Sequence, residues 1–162
     1  MQPVKLVEFL VLLGLSNGSP IFAATIFGSR WSYPVDCYLL FLDRRRLFGA
    51  SKTVRGIVAA VLATAGGAAL MGIDWGAGIL VGVSAMAGDL VSSFIKRRLG
   101  MAPSSRAWGF DQVPEALIPV IICQDAFAFT LAEMAAVVAL FFVADVLLSQ
   151  VLFSVGLRKQ PY

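Results

Sequence analysis

The sequence predicts an all-α integral membrane protein. It has five transmembrane helices, N-terminus out and C-terminus in, and two long cytoplasmic loops. Three observations carry that expectation. Of the 162 residues, 59% are hydrophobic and 14% charged, against roughly 45–50% and about 25% in an ordinary soluble domain. Apolar windows of spanning length occur five times. The basic residues cluster in alternate connections. The length suits a single membrane-embedded domain over residues 1–162.

The windows fall near 4–27, 55–73, 76–95, 112–131 and 134–156. In the first, Glu8 interrupts the apolar run after Lys5 and no clean cleavage site follows, so it reads as a retained span rather than a signal peptide. Ser16-Asn17-Gly18-Ser19-Pro20 interrupts the same span. Lipid does not satisfy freed backbone groups, so this stretch is either a proline kink or a place where Asn17 and Ser19 line a polar cavity.

A polar loop over 28–54 carries Arg30, Arg44, Arg45, Arg46 and Lys52, with Arg55 opening the second span. A second loop over 96–111 carries Lys96, Arg97, Arg98 and Arg106. The short connections near 73–76 and 131–134 hold Asp74 and Glu133 but no Lys or Arg. Five spans place both long loops and Arg158-Lys159 on one side, which holds 12 of the 13 Lys and Arg residues; Lys5 lies opposite. The positive-inside rule makes that side cytoplasmic, in a multi-pass protein of the cell (plasma or inner) membrane.

The chain has no histidine, which removes the commonest general base and zinc ligand. Cys37 and Cys123 are 86 positions apart and form no CxxC, so neither a zinc site nor a redox motif is indicated. The formal charge of +3 gives no reason to expect a nucleic-acid partner.

Chemistry concentrates at the predicted cytoplasmic edge. Asp89, Ser92, Ser93 and Lys96 share one helical face at the end of span three. Asp89 lies within a span, where a charge must be compensated. An ion pair with Lys96 or a loop-one arginine would do so, and so would Mg²⁺ bridging to a phosphate. Asp111 opens span four with Glu115 one turn on, either as acids favoured by the helix dipole or as further metal ligands. Gly49-Ala50-Ser51-Lys52-Thr53-Val54-Arg55-Gly56 precedes a helix N-terminus, where Lys52 and Arg55 can flank a phosphate. It is not a Walker A loop, because position 46 is Arg. Arg44 to Arg46 read as anchors to anionic lipid. Asp125, deeper in span four, suits an interhelical hydrogen bond or the outer face, and Asp145 has no evident role.

Together these residues resemble the CDP-archaeol synthase family and, more distantly, the phosphatidate cytidylyltransferases. The likeness runs through Asn17 with Pro20, Pro34-Val35-Asp36, Asp43-Arg44-Arg45, the Gly49–Gly56 motif, Gly88-Asp89, Ser93-Phe94-Ile95-Lys96-Arg97-Arg98 and Asp111-Gln112. Loop one departs from it, with Gly49-Ala50-Ser51-Lys52-Thr53 where the archaeal pattern has Gly-Asp-Gly-Lys-Thr. Pro103-Ser104-Ser105-Arg106 and Pro114-Glu115 look nearer to bacterial members, which leaves the lipid acceptor open.

The resemblance implies five helices, two cytoplasmic loops and a reaction with Mg²⁺ as cofactor. CTP and a membrane lipid phosphate (a digeranylgeranylglyceryl phosphate or similar precursor) give a CDP-lipid and pyrophosphate. It implies Asp89, Asp111 and Lys96 as catalytic residues, the two aspartates as Mg²⁺ ligands. Lys52, Arg55 and Lys96 are expected to neutralise phosphate oxygens, and Arg97 or Arg98 to meet the lipid phosphate. Asn17, Thr53, Ser92 and Ser93 complete the expected nucleotide-binding set. Two other classes stay open: a small ion or solute transporter, and a non-catalytic membrane subunit. A homo-oligomer is compatible with each.

Overall fold

The computed structural model describes residues 3–102 and 111–154, and all regular structure among them is helical. The helices are α1 (Pro3–Phe27), α2 (Val54–Leu70), α3 (Trp75–Arg98), α4 (Gln112–Ile122), α5 (Gln124–Phe127) and α6 (Leu131–Ser154). Arg106 and the Pro103–Ser105 segment, like Arg158 and Lys159 of the charge-topology expectation, lie outside the described residues. Among the described residues, α1 and α3 are long and apolar enough to cross a membrane, while α2 and α4 are shorter apolar helices.

α3 is the central helix, flanked by α2 and α4; α1 packs on α2 and α3, and α6 on α4 and α1. Small residues let α2 and α3 approach closely, as in membrane helix pairs generally. A Cβ on Gly78 would sit 2.6 Å from the Thr64 carbonyl oxygen, inside contact distance. The core at the far end is aromatic. Phe9 meets Phe127 and Phe129 edge-on, with centroids 4.9 and 5.1 Å apart. The Lys5 ammonium donates to the Phe127 carbonyl at 3.5 Å, placing the start of α1 beside the α5–α6 connection.

One sequence reading is resolved and one expectation changes. α1 runs through Ser16–Pro20 to Phe27, and Asn17 lines a polar cavity. Pro20 packs against α2, where a Cβ on Gly56 would come within 3.3 Å of its ring. The window at 112–131 is not one helix. α4 ends at the Cys123 cap, a four-residue α5 follows, and Ala128 adopts φ 50°. Thr130 and Glu133 then form a capping box that opens α6: Thr130 N–H donates to Glu133 Oε2 at 3.0 Å and Glu133 N–H to Thr130 Oγ1 at 3.4 Å. That pair explains the acid in this short connection.

Loop one is ordered by a buried carboxylate. Asp36 accepts from the amides of Tyr38, Phe48 and Gly49 at 3.1, 3.2 and 3.0 Å, and pairs with Arg46, which also lies over the Tyr38 ring. Burial alone would raise the Asp36 pKa, but the Arg46 and amide hydrogen bonds outweigh it and hold the group below its ordinary value. Arg98 ties the loop to α3. It pairs with Asp43 at 3.1 Å, donates to the Arg46 carbonyl at 2.8 Å, and lies over Phe41 and Phe94.

Candidate active site

The far end of α1, the start of α2, the end of α3 and the start of α4 meet beneath loop one, and their polar residues line one cleft. One lobe, about 420 Å³, is walled by Asn17, Asp89, Lys96, Asp111, Glu115 and Asp145 among others. The adjoining lobe, about 370 Å³, runs toward Ser32, Thr53 and Arg55. Pro20, Ala24, Ser51, Lys52, Met86 and Asp89 border both lobes. Their combined size falls within the range of small-molecule sites.

Two acid–base pairs dominate. The Lys52 ammonium reaches both oxygens of Asp89, at 2.5 and 2.6 Å, tying loop one to α3. Lys96 pairs with Asp111 at 2.5 Å, tying the end of α3 to the start of α4. Asp111 is the residue before α4, yet it makes no side-chain cap bond, so its carboxylate serves the cleft rather than the helix end.

Glu115 lies between the pairs. It accepts from Asn17 Nδ2 at 2.8 Å and lines the same lobe as Asp89. Gly88 makes this juxtaposition geometrically possible. A Cβ there would lie 2.7 Å from the Pro114 carbonyl carbon and 2.9 Å from Glu115 Cα, so only glycine lets α4 come this close. Asp145 enters from α6 and accepts from Gln112 Nε2 at 3.0 Å.

The remaining expected site residues take distinct places. Thr53 is the N-cap of α2, its hydroxyl accepting from Gly56 N–H at 3.2 Å. Arg55 borders the cleft, but its Nη1 donates to the carbonyls of Gly28, at 3.0 Å, and Arg30. Its guanidinium therefore joins the end of α1 to α2. Ser92 and Ser93 share the Asp89 face but are buried, and Ser92 Oγ donates to the Asp89 carbonyl at 2.9 Å. Neither borders the cleft. Arg97 is buried on the other side of loop one, with Nη2 on the Ala102 carbonyl at 2.8 Å, and Arg98 is the clamp described above. Asp125 is exposed and Cys123 is buried in the core.

Three cleft residues had no single sequence assignment. Glu115 read either as a helix-dipole acid or as a further metal ligand, with its one-turn spacing from Asp111 as the signal. Gln112 and Asp145 meet across 33 positions, and a carboxylate within a span was the only hint of the second.

The donor set fits Mg²⁺. Asp89, Asp111, Glu115 and Asp145 offer hard carboxylate oxygens around one cavity. Mg²⁺ characteristically takes one or two carboxylates together with substrate phosphates and water. Among the described residues no three acids are disposed as a ready-made metal cage, so the fit is to a metal sharing its ligands with a nucleotide.

Comparison with known proteins identifies the family. The family model described as CarS-like, CDP-archaeol synthase, matches residues 6–162. A CDP-archaeol synthase of Sulfurisphaera tokodaii is 34% identical over 80% of this chain and 81% of its own. That of Aeropyrum pernix is 30% identical over 91% and 86%. A solved structure of an intramembrane enzyme for archaeal membrane lipid biosynthesis superposes with a TM-score of 0.66 at 26% identity, covering 83% of this chain and 89% of the other. The chain belongs to the CDP-archaeol synthase family, a family of CTP-dependent lipid cytidylyltransferases.

Proposed function

We propose that the protein transfers the cytidylyl group of CTP to a dialkyl glycerol phosphate, giving CDP-archaeol or a close analogue and pyrophosphate, with Mg²⁺. The observation that carries this reading is the pair of lysine–carboxylate bridges lining one cleft. Each bridge can exchange partners with a metal–triphosphate. Asp89 and Asp111 would then hold the cation and Lys52 and Lys96 the phosphate oxygens, so no charge would be left buried and unpaired.

The lipid phosphate oxygen attacks the α-phosphorus and pyrophosphate leaves. A phosphate monoester is already nucleophilic near neutral pH, which suits a chain without histidine. Catalysis is then mostly positioning and charge neutralisation. Lys52 and Lys96 hold phosphate oxygens, while Asn17 fixes the Glu115 carboxylate in the cleft. Asp89, Glu115 and Asp111 would hold Mg²⁺, which would supply charge neutralisation of the triphosphate. Thr53 and Arg55 act at this site by fixing the start of α2 and the roof of the cleft.

The enzyme works as a multi-pass protein of the cell membrane with five spans, N-terminus out and loops one and two in the cytoplasm. The gathering of Lys52, Arg55 and Lys96 at one end of the helices supports this orientation. The exposed apolar side chains of α1, including Phe22 at 70% and Ile26 at 73%, suit a lipid-facing wall beside the cleft.

The test is a transfer assay. Purified protein in detergent receives α-labelled CTP, Mg²⁺ and dialkyl or diacyl glycerol phosphates. Labelled CDP-lipid is expected; none from any acceptor, in a folded sample, refutes the reading.

A further inference from the structure

A second basic cavity lies on the other side of loop one. It measures about 380 Å³, is lined by Arg45, Arg46, Gly49, Arg97, Gly100 and Met101, and shares no lining residue with the cleft. Among the described residues, three arginines and no acid line it.

Arg97 is the informative residue. Only 6% of it is exposed, and its Nη2 bond to Ala102 leaves the buried Nε without a partner. The carboxylate whose field reaches it, Asp111, is held by Lys96 at 2.5 Å. A guanidinium desolvated without an anion is costly. The chain leaves room beside it: Cδ, Nε and Nη1 of Arg97 lie 3.8–4.0 Å from where a Cβ on Gly49 would stand. Opposite, the Arg45 guanidinium lies against Gly100, 2.7 Å from a Cβ position there. Both glycines have positive φ, 97° and 76°, so the bare walls are tied to their backbone conformation.

The carbonyl end of α3 would by itself repel an anion. Arg45 covers it, with Nη1 on the carbonyls of Arg97 and Arg98 at 3.2 and 3.4 Å. Arg46 is already matched by Asp36. Two guanidinium groups therefore remain without an acidic partner among the described residues, in a cavity large enough for a tetrahedral oxyanion. Guanidinium forks match phosphate geometry better than that of a spherical anion.

We propose that this cavity is a second phosphate-binding site, separate from the cleft. It takes a phosphate or diphosphate group, whether free in solution or carried by a lipid headgroup. The proposal does not rest on the assigned reaction, and its test uses neither nucleotide nor Mg²⁺.

The experiment is calorimetric titration of the full chain in neutral detergent with inorganic phosphate, pyrophosphate and short-chain phosphatidic acid. Saturable binding is expected. Half-exposed Met101 permits a clean probe. Met101→Glu, which adds a competing carboxylate, is expected to weaken binding by about tenfold or more, while the isosteric Met101→Gln stays within about twofold. A Lys52→Gln variant, altered in the cleft, retains this binding. Preference for phosphatidic acid above about tenfold identifies a headgroup site, and comparable affinities identify a free-anion site. Absence of saturable binding to any probe, or wild-type affinity in Met101→Glu, overturns the proposal.

Discussion

Gly88→Ala is a small change with a calculable consequence. The new methyl carbon would fall 2.7 Å from the Pro114 carbonyl carbon and 2.9 Å from Glu115 Cα. Ordinary contacts between such atoms lie near 3.5–4.0 Å, so α4 must retreat by roughly 1 Å. Overpacking of this kind typically costs about 1–3 kcal/mol. The same retreat draws Glu115 and Asp111 away from Asp89 and Lys96. A misplacement of about 1 Å at reacting groups is worth roughly a hundredfold in rate. The expected result is a modest fall in melting temperature in detergent, with cytidylyl transfer reduced about a hundredfold. Gly66→Ala is the control, because no atom lies within 4 Å of its Cβ position. Wild-type transfer by Gly88→Ala, with melting unchanged, would refute the close approach of α3 and α4 as the basis of the site.

Other substitutions separate chemistry from scaffolding. Asp89→Asn is expected to lower kcat by at least about a hundredfold, with a modest fall in melting temperature because the side chain is 19% exposed and Lys52 loses its partner. Thr53→Ala removes the α2 cap and should cost about 1 kcal/mol in thermal unfolding. Asp36 governs an acid limit. Its folded-state pKa lies below the ordinary 3.8, so its contribution is present above that value and is lost as pH falls through the lower, folded value. Limited proteolysis of loop one should therefore accelerate only below about pH 4 in the wild type. Asp36→Asn should be cleaved readily at neutral pH.

Helix positions were legible because apolar length is a strong signal; the ends of α2 and α3 fall within a few residues of the windows drawn from the sequence. The break at Cys123–Ala128 was not, because Gln124-Asp125-Ala126-Phe127 carries neither Gly nor Pro. The Ser16–Pro20 stretch carried two readings, a proline kink or a polar lining, and spacing alone does not choose between them. The helix continues past Pro20, whose ring packs over Gly56, and Asn17 borders the cleft.

In the site, the sequence paired the right residue types and left the partners undetermined. Helical spacing put Lys96 on the Asp89 face, whereas the structure gives Lys96 to Asp111 and Lys52 to Asp89. Pairings across 37 positions depend on the loop-one path, which the buried Asp36 sets and which no period encodes. The basic run Lys96-Arg97-Arg98 was divided between nucleotide phosphates for Lys96 and the lipid phosphate for Arg97 or Arg98. Its three members serve three ends, the cleft, the second cavity and the loop clamp, because successive helical residues point about 100° apart.

The central claim, that the two lysine–carboxylate pairs give way to a metal–triphosphate, is tested most directly by CTP binding with and without Mg²⁺. Equilibrium titration of the wild type is predicted to show CTP affinity raised at least about tenfold by Mg²⁺, with that gain abolished in Asp89→Asn and Asp111→Asn. Equal Mg²⁺ dependence in the wild type and both variants would contradict the account.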